Sequence, residues 1–324
     1  MNKILIIRFS SIGDIVLTTP IVRALRAKFE KAEIHFLTKS SFLPLVEENP
    51  YINKVLTLEK GRDKLLLNQL KTEKYDAVVD LHKNLRTLRI KLALRTKWYS
   101  YDKLNFKKWL FVNLKINRLP KEHIVERYFR CLTPLNLVND HRGIDYFFPS
   151  DFFVDLTQLG VSKQEYTCIA IGGTYFTKQI PESLILDIIK RLKRPFVLLG
   201  AGKSDIEKAD SIVDKISDEN VVNLCGKLNI QESAYLIKCA NSLITGDTGL
   251  MHIASSFDTP IKSIWGNTHR DFGMYAYRPL SDTIEDFVVP LPCNPCSKLG
   301  SDKCPKGHFK CMLEQNAEQI VKNC

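Results

Sequence analysis

The chain has 324 residues, 44% of them hydrophobic, and a formal net charge of +11. That apolar content suits a globular protein with a sizeable core. No run of about 18 or more uncharged apolar residues occurs, which excludes a membrane-spanning helix.

At roughly 100–200 residues per domain the length predicts two domains. The opening stretch, MNKILIIRFSSIGDIVLTTP, is apolar but carries Arg8 and Asp14 and lacks a small-residue cleavage site. It is therefore not expected to be a signal peptide, and a cytoplasmic protein is expected. Residues 3–8 read as a buried parallel strand, followed by a helical pattern over 14–29. Further strands are predicted at 33–38, 54–58 and 76–81, separated by helical pattern. The alternation predicts βαβ units and a parallel sheet. A helix is expected near 121–135, after which the texture changes, and a domain boundary is placed near residue 155. The alternation restarts with strands at 168–171, 195–200, 221–226, 241–246 and 260–266. Helices are expected at about 181–193, 203–216, 230–240 and 249–257. The fold class is thus α/β, with two Rossmann-like domains at 1–155 and 156–324 and parallel sheets facing an interdomain cleft. Ligands of such sheets sit beyond the carboxyl ends of the strands.

Charge is uneven. Residues 1–150 hold 28 Lys/Arg against 15 Asp/Glu, and residues 151–324 hold 19 against 21. Segment 82–108 has nine basic residues and one acid, Asp102. Such a run is commonly a solvated face. Here it also suits an anionic partner: nucleic acid, a membrane surface or an acidic substrate. No nucleic-acid-binding signature accompanies it, and aromatics do not interleave the run, so no nucleic-acid partner is expected.

Four loops follow predicted strands. In RFSSIGD, Ser10, Ser11 and Gly13 let backbone approach a ligand, and Asp14 stands at a helix start, where it can also serve as a cap. In IGGTYFTK, Gly172, Gly173 and Thr174 can offer N–H groups and a hydroxyl to an anion, with Lys178 nearby. LGAGKSD lacks the P-loop spacing, so Walker-type hydrolysis is rejected. In LITGDTGLMHIASS, a strand hands over to a helix through Gly246, Asp247, Thr248 and Gly249. Unpaired N–H groups there suit a diphosphate, His252 adds a ring nitrogen, and Asp247 suits sugar hydroxyls. The Asp-Thr-Gly of aspartic proteases is rejected, because a helical pattern follows it.

The motifs ILIIRFSSIGDIVLTTPIVRALR, YDAVVDLHKNLRTLRI, HIVERYF, FVLLGAGKSD, NLCGKLNIQESAYLI and ITGDTGLMHIASSFDTPIKSIWGNT together resemble glycosyltransferase family 9, the bacterial heptosyltransferase family. The resemblance implies a GT-B fold and metal-independent, inverting transfer of a heptose, or a similar sugar, from an ADP-sugar to the lipopolysaccharide inner core. It implies Asp14 as general base and Lys178 as the phosphate-binding lysine. Gly172, Thr174, Lys178, Gln231, Asp247, Thr248, Gly249 and His252 would bind the donor. Gln231 stands where relatives carry an acid near the donor ribose, with Glu232 adjacent. Ser10, Ser11 and Gly13 would line the acceptor side, with Lys83, Arg86 and Arg89 as further acceptor contacts. An anionic acceptor at the inner membrane gives the basic half a reason and implies peripheral contact with that membrane. The rival expectation is a basic nucleic-acid- or membrane-binding protein without transferase activity.

The resemblance implies catalysis without a cofactor. The tail 293–311 nevertheless spaces Cys293, Cys296, Cys304, His308 and Cys311 as C-x2-C-x7-C-x3-H-x2-C, which resembles structural zinc ligation; packed, reduced thiols, or disulfides formed only on oxidation, are the alternatives. The sequence carries no mark of oligomeric state.

Overall fold

The computed structural model describes residues 1–192, 194–216, 220–322 and 324. The chain forms two compact units, one of residues 1–103 and 122–150, the other of 104–121 and 151–324.

The first unit is a five-stranded sheet in the order β3-β2-β1-β4-β5. Its strands are β1 (Lys3–Ile7), β2 (Glu33–Lys39), β3 (Lys54–Leu58), β4 (Ala77–Asp80) and β5 (Lys97–Ser100), all paired in parallel. Ile4 to Ile7 are fully buried because a central parallel strand is covered on both faces, and each such side chain stabilises the unit by about 1.5–3 kcal/mol. The connecting helices are α1 (Ile12–Val16), α2 (Thr19–Lys28), α3 (Asp63–Thr72) and α4 (Leu85–Leu94). The helix expected over 14–29 is therefore two. Pro20, which has no N–H to give, sits in the first turn of α2 and so starts a new helix rather than continuing α1.

Helix α5 (Asn105–Leu114) lies in segment 104–121, which groups with the second unit although the segments before and after it, 1–103 and 122–150, belong to the first. Lys115, just after it, donates to the carbonyls of Cys293 (2.9 Å) and Pro295 (2.6 Å), and the Phe111 ring packs on His269 and Phe272. Helix α6 (Ile124–Cys131) returns the chain to the first unit. The boundary expected near residue 155 falls at 150/151, and segment 104–121 lies outside the expected partition.

The second unit is a six-stranded parallel sheet in the order β11-β10-β9-β6-β7-β8. Its elements are β6 (Thr167–Ala170), α7 (Glu182–Arg191), β7 (Phe196–Leu199), α8 (Lys203–Lys215), β8 (Val221–Asn223), α9 (Ile230–Cys239), β9 (Ser242–Gly246), α10 (Gly249–Ala254), β10 (Ile261–Trp265), β11 (Ile284–Val288), α11 (Lys310–Leu313) and α12 (Ala317–Val321). Alternate residues face opposite cores: Ile169 and Ile171 pack with α7 and α12, while Cys168 and Ala170 pack with α9. All nine strands expected from the sequence are present. No helix among the described residues is long and apolar enough to cross a membrane.

Candidate active site

In the first unit, Arg8 and Asp14 form an ion pair. Arg8 follows the last residue of β1 and is buried; its Nη2 lies 2.5 Å from Asp14 Oδ1. The same guanidinium donates to the carbonyls of Ser10 and Leu81 and to the Tyr128 hydroxyl. Burial opposes its charge, but the Asp14 carboxylate and the tyrosine oxygens win, and its pKa is raised. Asp14 Oδ2 accepts from the Ser11 N–H (3.1 Å) and hydroxyl (2.8 Å), so the acid caps α1 and stays partly exposed. Gly13 is buried beside it, and Ser11 is exposed.

His82, two residues past β4, is the neighbour that the sequence did not mark. Its ring meets the Phe9 ring edge-on, with centroids 4.9 Å apart. Burial, then Arg8 and Lys103, push its pKa down to about 3, so the ring is neutral. Its Nδ1 is buried with no hydrogen-bond partner among the described residues. Asp80 Oδ1 accepts from the His82 and Lys83 N–H groups, shaping the turn before α4. Lys83 Nζ donates to the Tyr101 carbonyl. Arg86 reaches toward Asp63 and lies over Phe9, 5.9 Å from the ring centroid. Arg89 lies on the exposed side of α4.

In the second unit the backbone of 177–178 crosses the carboxyl ends of β9 and β10. Two glycines make this possible. A Cβ on Gly246 would lie 2.3 Å from the Lys178 carbonyl oxygen, and one on Gly266 would lie 2.4 Å from that of Thr177. The crossing sets Lys178 Nζ 2.7 Å from Asp247 Oδ2, which also accepts from the Thr268 hydroxyl at 3.0 Å. Thr245 and Thr248 share a hydroxyl hydrogen bond of 3.0 Å. Gly173 adjoins Thr248 and Lys178, so the first and last donor loops meet. Gly249 starts α10, and His252, one turn in, is buried.

Gly172 backs onto Asp205, whose carboxylate a Cβ there would strike at 2.3 Å. Asp205 in turn accepts from the Ala201 and Gly202 N–H groups, so LGAGKSD holds its own acid. Thr174 is exposed. Gln231 is buried in the first turn of α9, and Glu232 is used as that helix's capping box with Asn229.

The cysteine-rich tail braces this site. The N–H groups of Cys296 and Ser297 donate to the Asn267 carbonyl, and Asn294 Nδ2 donates to that of Gly266. Ser301 exchanges hydrogen bonds with Thr177. Cys293 Sγ lies 3.7 Å from His308 Nε2. Burial, then Cys293 and Cys304, push the Cys296 thiol up to about 11; burial, then Cys296 and Cys304, push Cys311 up to about 12. All the cysteines are free thiols. Among the described residues, the metal-capable atoms that converge within 4.8 Å are those of Glu33, His35 and Glu73, not the cysteine sulfurs on which zinc was expected. That trio is an ion-pair network: Lys3 and Lys54 already neutralise its carboxylates.

A family model for glycosyltransferase family 9 (heptosyltransferase) matches residues 64–305. The chain belongs to glycosyltransferase family 9. Among the relatives of this family 9 enzyme, lipopolysaccharide heptosyltransferase 3 of Escherichia coli (strain K12) is 26% identical over 298 residues, covering 85% of this chain and 84% of its own. The solved glycosyl transferase family 9 protein of Veillonella parvula DSM 2008 shares the fold with a TM-score of 0.78 at 21% identity, covering 99% of this chain and 96% of its own. E. coli ADP-heptose lps heptosyltransferase II does so with a TM-score of 0.72 at 20% identity, covering 99% and 97%. The two parallel-sheet units are those of the GT-B type. The family sets the chain among transferases.

Proposed function

We propose that the protein transfers a heptose from ADP-heptose to the anionic inner core of lipopolysaccharide, with inversion at the anomeric carbon. The Lys178–Asp247 pair carries this reading: a cation and an acid held at the strand ends of a family 9 chain. Lys178 leaves Asp247 for the diphosphate when the donor binds. Asp247 then accepts from sugar hydroxyls. Thr248, the Gly249 N–H and His252 line the same place, with Thr174 and Gln231 toward the rest of the nucleotide. The relatives' names supply the donor and acceptor.

In the first unit Asp14 takes the proton of the attacking hydroxyl. The new C–O bond forms on one face of the anomeric carbon while ADP leaves from the other with the bonding electrons. A positioned base typically contributes about 10²–10⁴-fold. Charge grows on the departing diphosphate, so Lys178 binds the transition state more strongly than the ground state. Arg8 orients Asp14. Ser10, Ser11 and Gly13 border the acceptor hydroxyl, and Lys83, Arg86 and Arg89 meet acceptor phosphates and carboxylates.

Incubation with ADP-heptose and a heptose-free inner-core acceptor tests this, read by mass spectrometry. ADP release with a heptose added to the acceptor is expected. Turnover of a different nucleotide sugar, with ADP-heptose inert, overturns the donor assignment.

A further inference from the structure

Helix α4 has two apolar stripes. Thr87, Ile90 and Leu94, spaced i, i+3, i+7, form the inward one; Ile90 lies in the core of the first unit and Leu94 packs against it. Leu85, Leu88 and Leu92 repeat the same spacing two residues earlier, roughly 200° away around the helix. They are 80%, 48% and 67% exposed, so the second stripe points to solvent. Folding of this unit gives it nothing to pack on.

Its surroundings name a partner. On the helical wheel Arg89 and Lys91 flank the leucines on either side, both exposed. Residues 81–101 contain six Lys/Arg and no Asp or Glu. An apolar stripe bordered by cations fits the interface of an anionic bilayer, where leucines enter the acyl boundary and the cations meet headgroup phosphates. A second copy of the chain fits worse, because like charges would face each other across the leucines. Nucleic acid leaves the leucines unmatched.

We propose that the outer face of α4 docks the protein on anionic lipid through Leu85, Leu88 and Leu92. The inference rests on the acceptor reading only for why the protein visits a membrane; docking itself is measured without transfer. Helix α4 begins beside the Lys83–Arg86 turn, whose Arg86 reaches Phe9, so docking holds the acceptor loops of this unit near the headgroups.

The test is cosedimentation with phosphatidylethanolamine–phosphatidylglycerol vesicles and with phosphatidylcholine vesicles. Wild type should bind the first and not the second, and more weakly as salt rises. The variant L85Q/L88Q/L92Q keeps good helix formers at exposed sites and should melt like wild type. Its partition onto anionic vesicles should fall about tenfold or more, while its affinity for ADP stays unchanged. The exposed Phe106 and Trp109 on α5 are left intact, so undiminished binding by the variant would overturn the assignment to α4. Absence of wild-type binding would also overturn it, as would a wild-type dimer that the variant dissolves. Loss of docking with transfer to a deacylated acceptor retained separates this claim from the proposed reaction.

Discussion

Lys178 Nζ stands 2.7 Å from Asp247 Oδ2 because two glycines, Gly246 and Gly266, let the backbone of 177–178 cross the ends of β9 and β10. A strand end, a close backbone approach and a charge pair are thus one device, in which the glycines decide where the lysine goes.

Replacing Lys178 with Ala removes the cation proposed to receive the diphosphate. A charge-assisted hydrogen bond is worth about 1.5–3 kcal/mol, so the Kd for ADP should rise roughly 10–100-fold in isothermal titration. Lys178→Arg keeps the charge and should recover part of the loss. An unchanged Kd in Lys178→Ala would remove Lys178 from the donor site.

Gly246→Ala places a methyl group against the Lys178 carbonyl. Overpacking of this kind costs about 1–3 kcal/mol, and urea denaturation should show it. ADP affinity should fall as well, since the backbone that carries Lys178 must move. Gly61→Ala offers a control: nothing lies within 4 Å of its Cβ, and only its φ of +82° opposes the change.

His82 should stay neutral throughout the working range, because its folded pKa is pushed down to about 3. Unfolded, it takes a proton below about 6.5. The unfolded state then binds more protons, so this contribution to stability is full above pH 6.5 and is lost as pH falls toward 3. The slope from one proton is at most about 1.4 kcal/mol per pH unit. His82→Gln should flatten the stability–pH curve between those limits. An inflection of the wild-type pH–rate profile near 6.5 that His82→Gln abolishes would contradict the neutral ring.

Much of this was legible in the sequence. Buried parallel strands read as plain apolar runs, so β1 to β4 and β6 to β10 were expected where they lie. The edge strands β5 and β11 were not, because KWYS and IEDFV are half-exposed and too polar to stand out. Membership of α5 in the second unit depends on contacts from Lys115 and Phe111 to residues more than 150 positions away, which no local pattern carries. Asp14 and the Asp247 loop stood out as breaks in apolar runs. Arg8 and His82 did not, although a lone arginine closing a buried strand six residues before an acid is a signal that could have been used. Gly172 looked like part of an anion cradle, and the structure shows that the Asp205 carboxylate already fills the space beside it.

The central claim is that Asp14 serves the transfer step and not donor binding. Asp14→Asn preserves shape and a hydrogen-bond acceptor but removes the base and the charge facing Arg8. Single-turnover transfer from ADP-heptose should fall by about 10²–10⁴-fold, with the Kd for ADP within about twofold of wild type. Full transfer by Asp14→Asn would contradict the account.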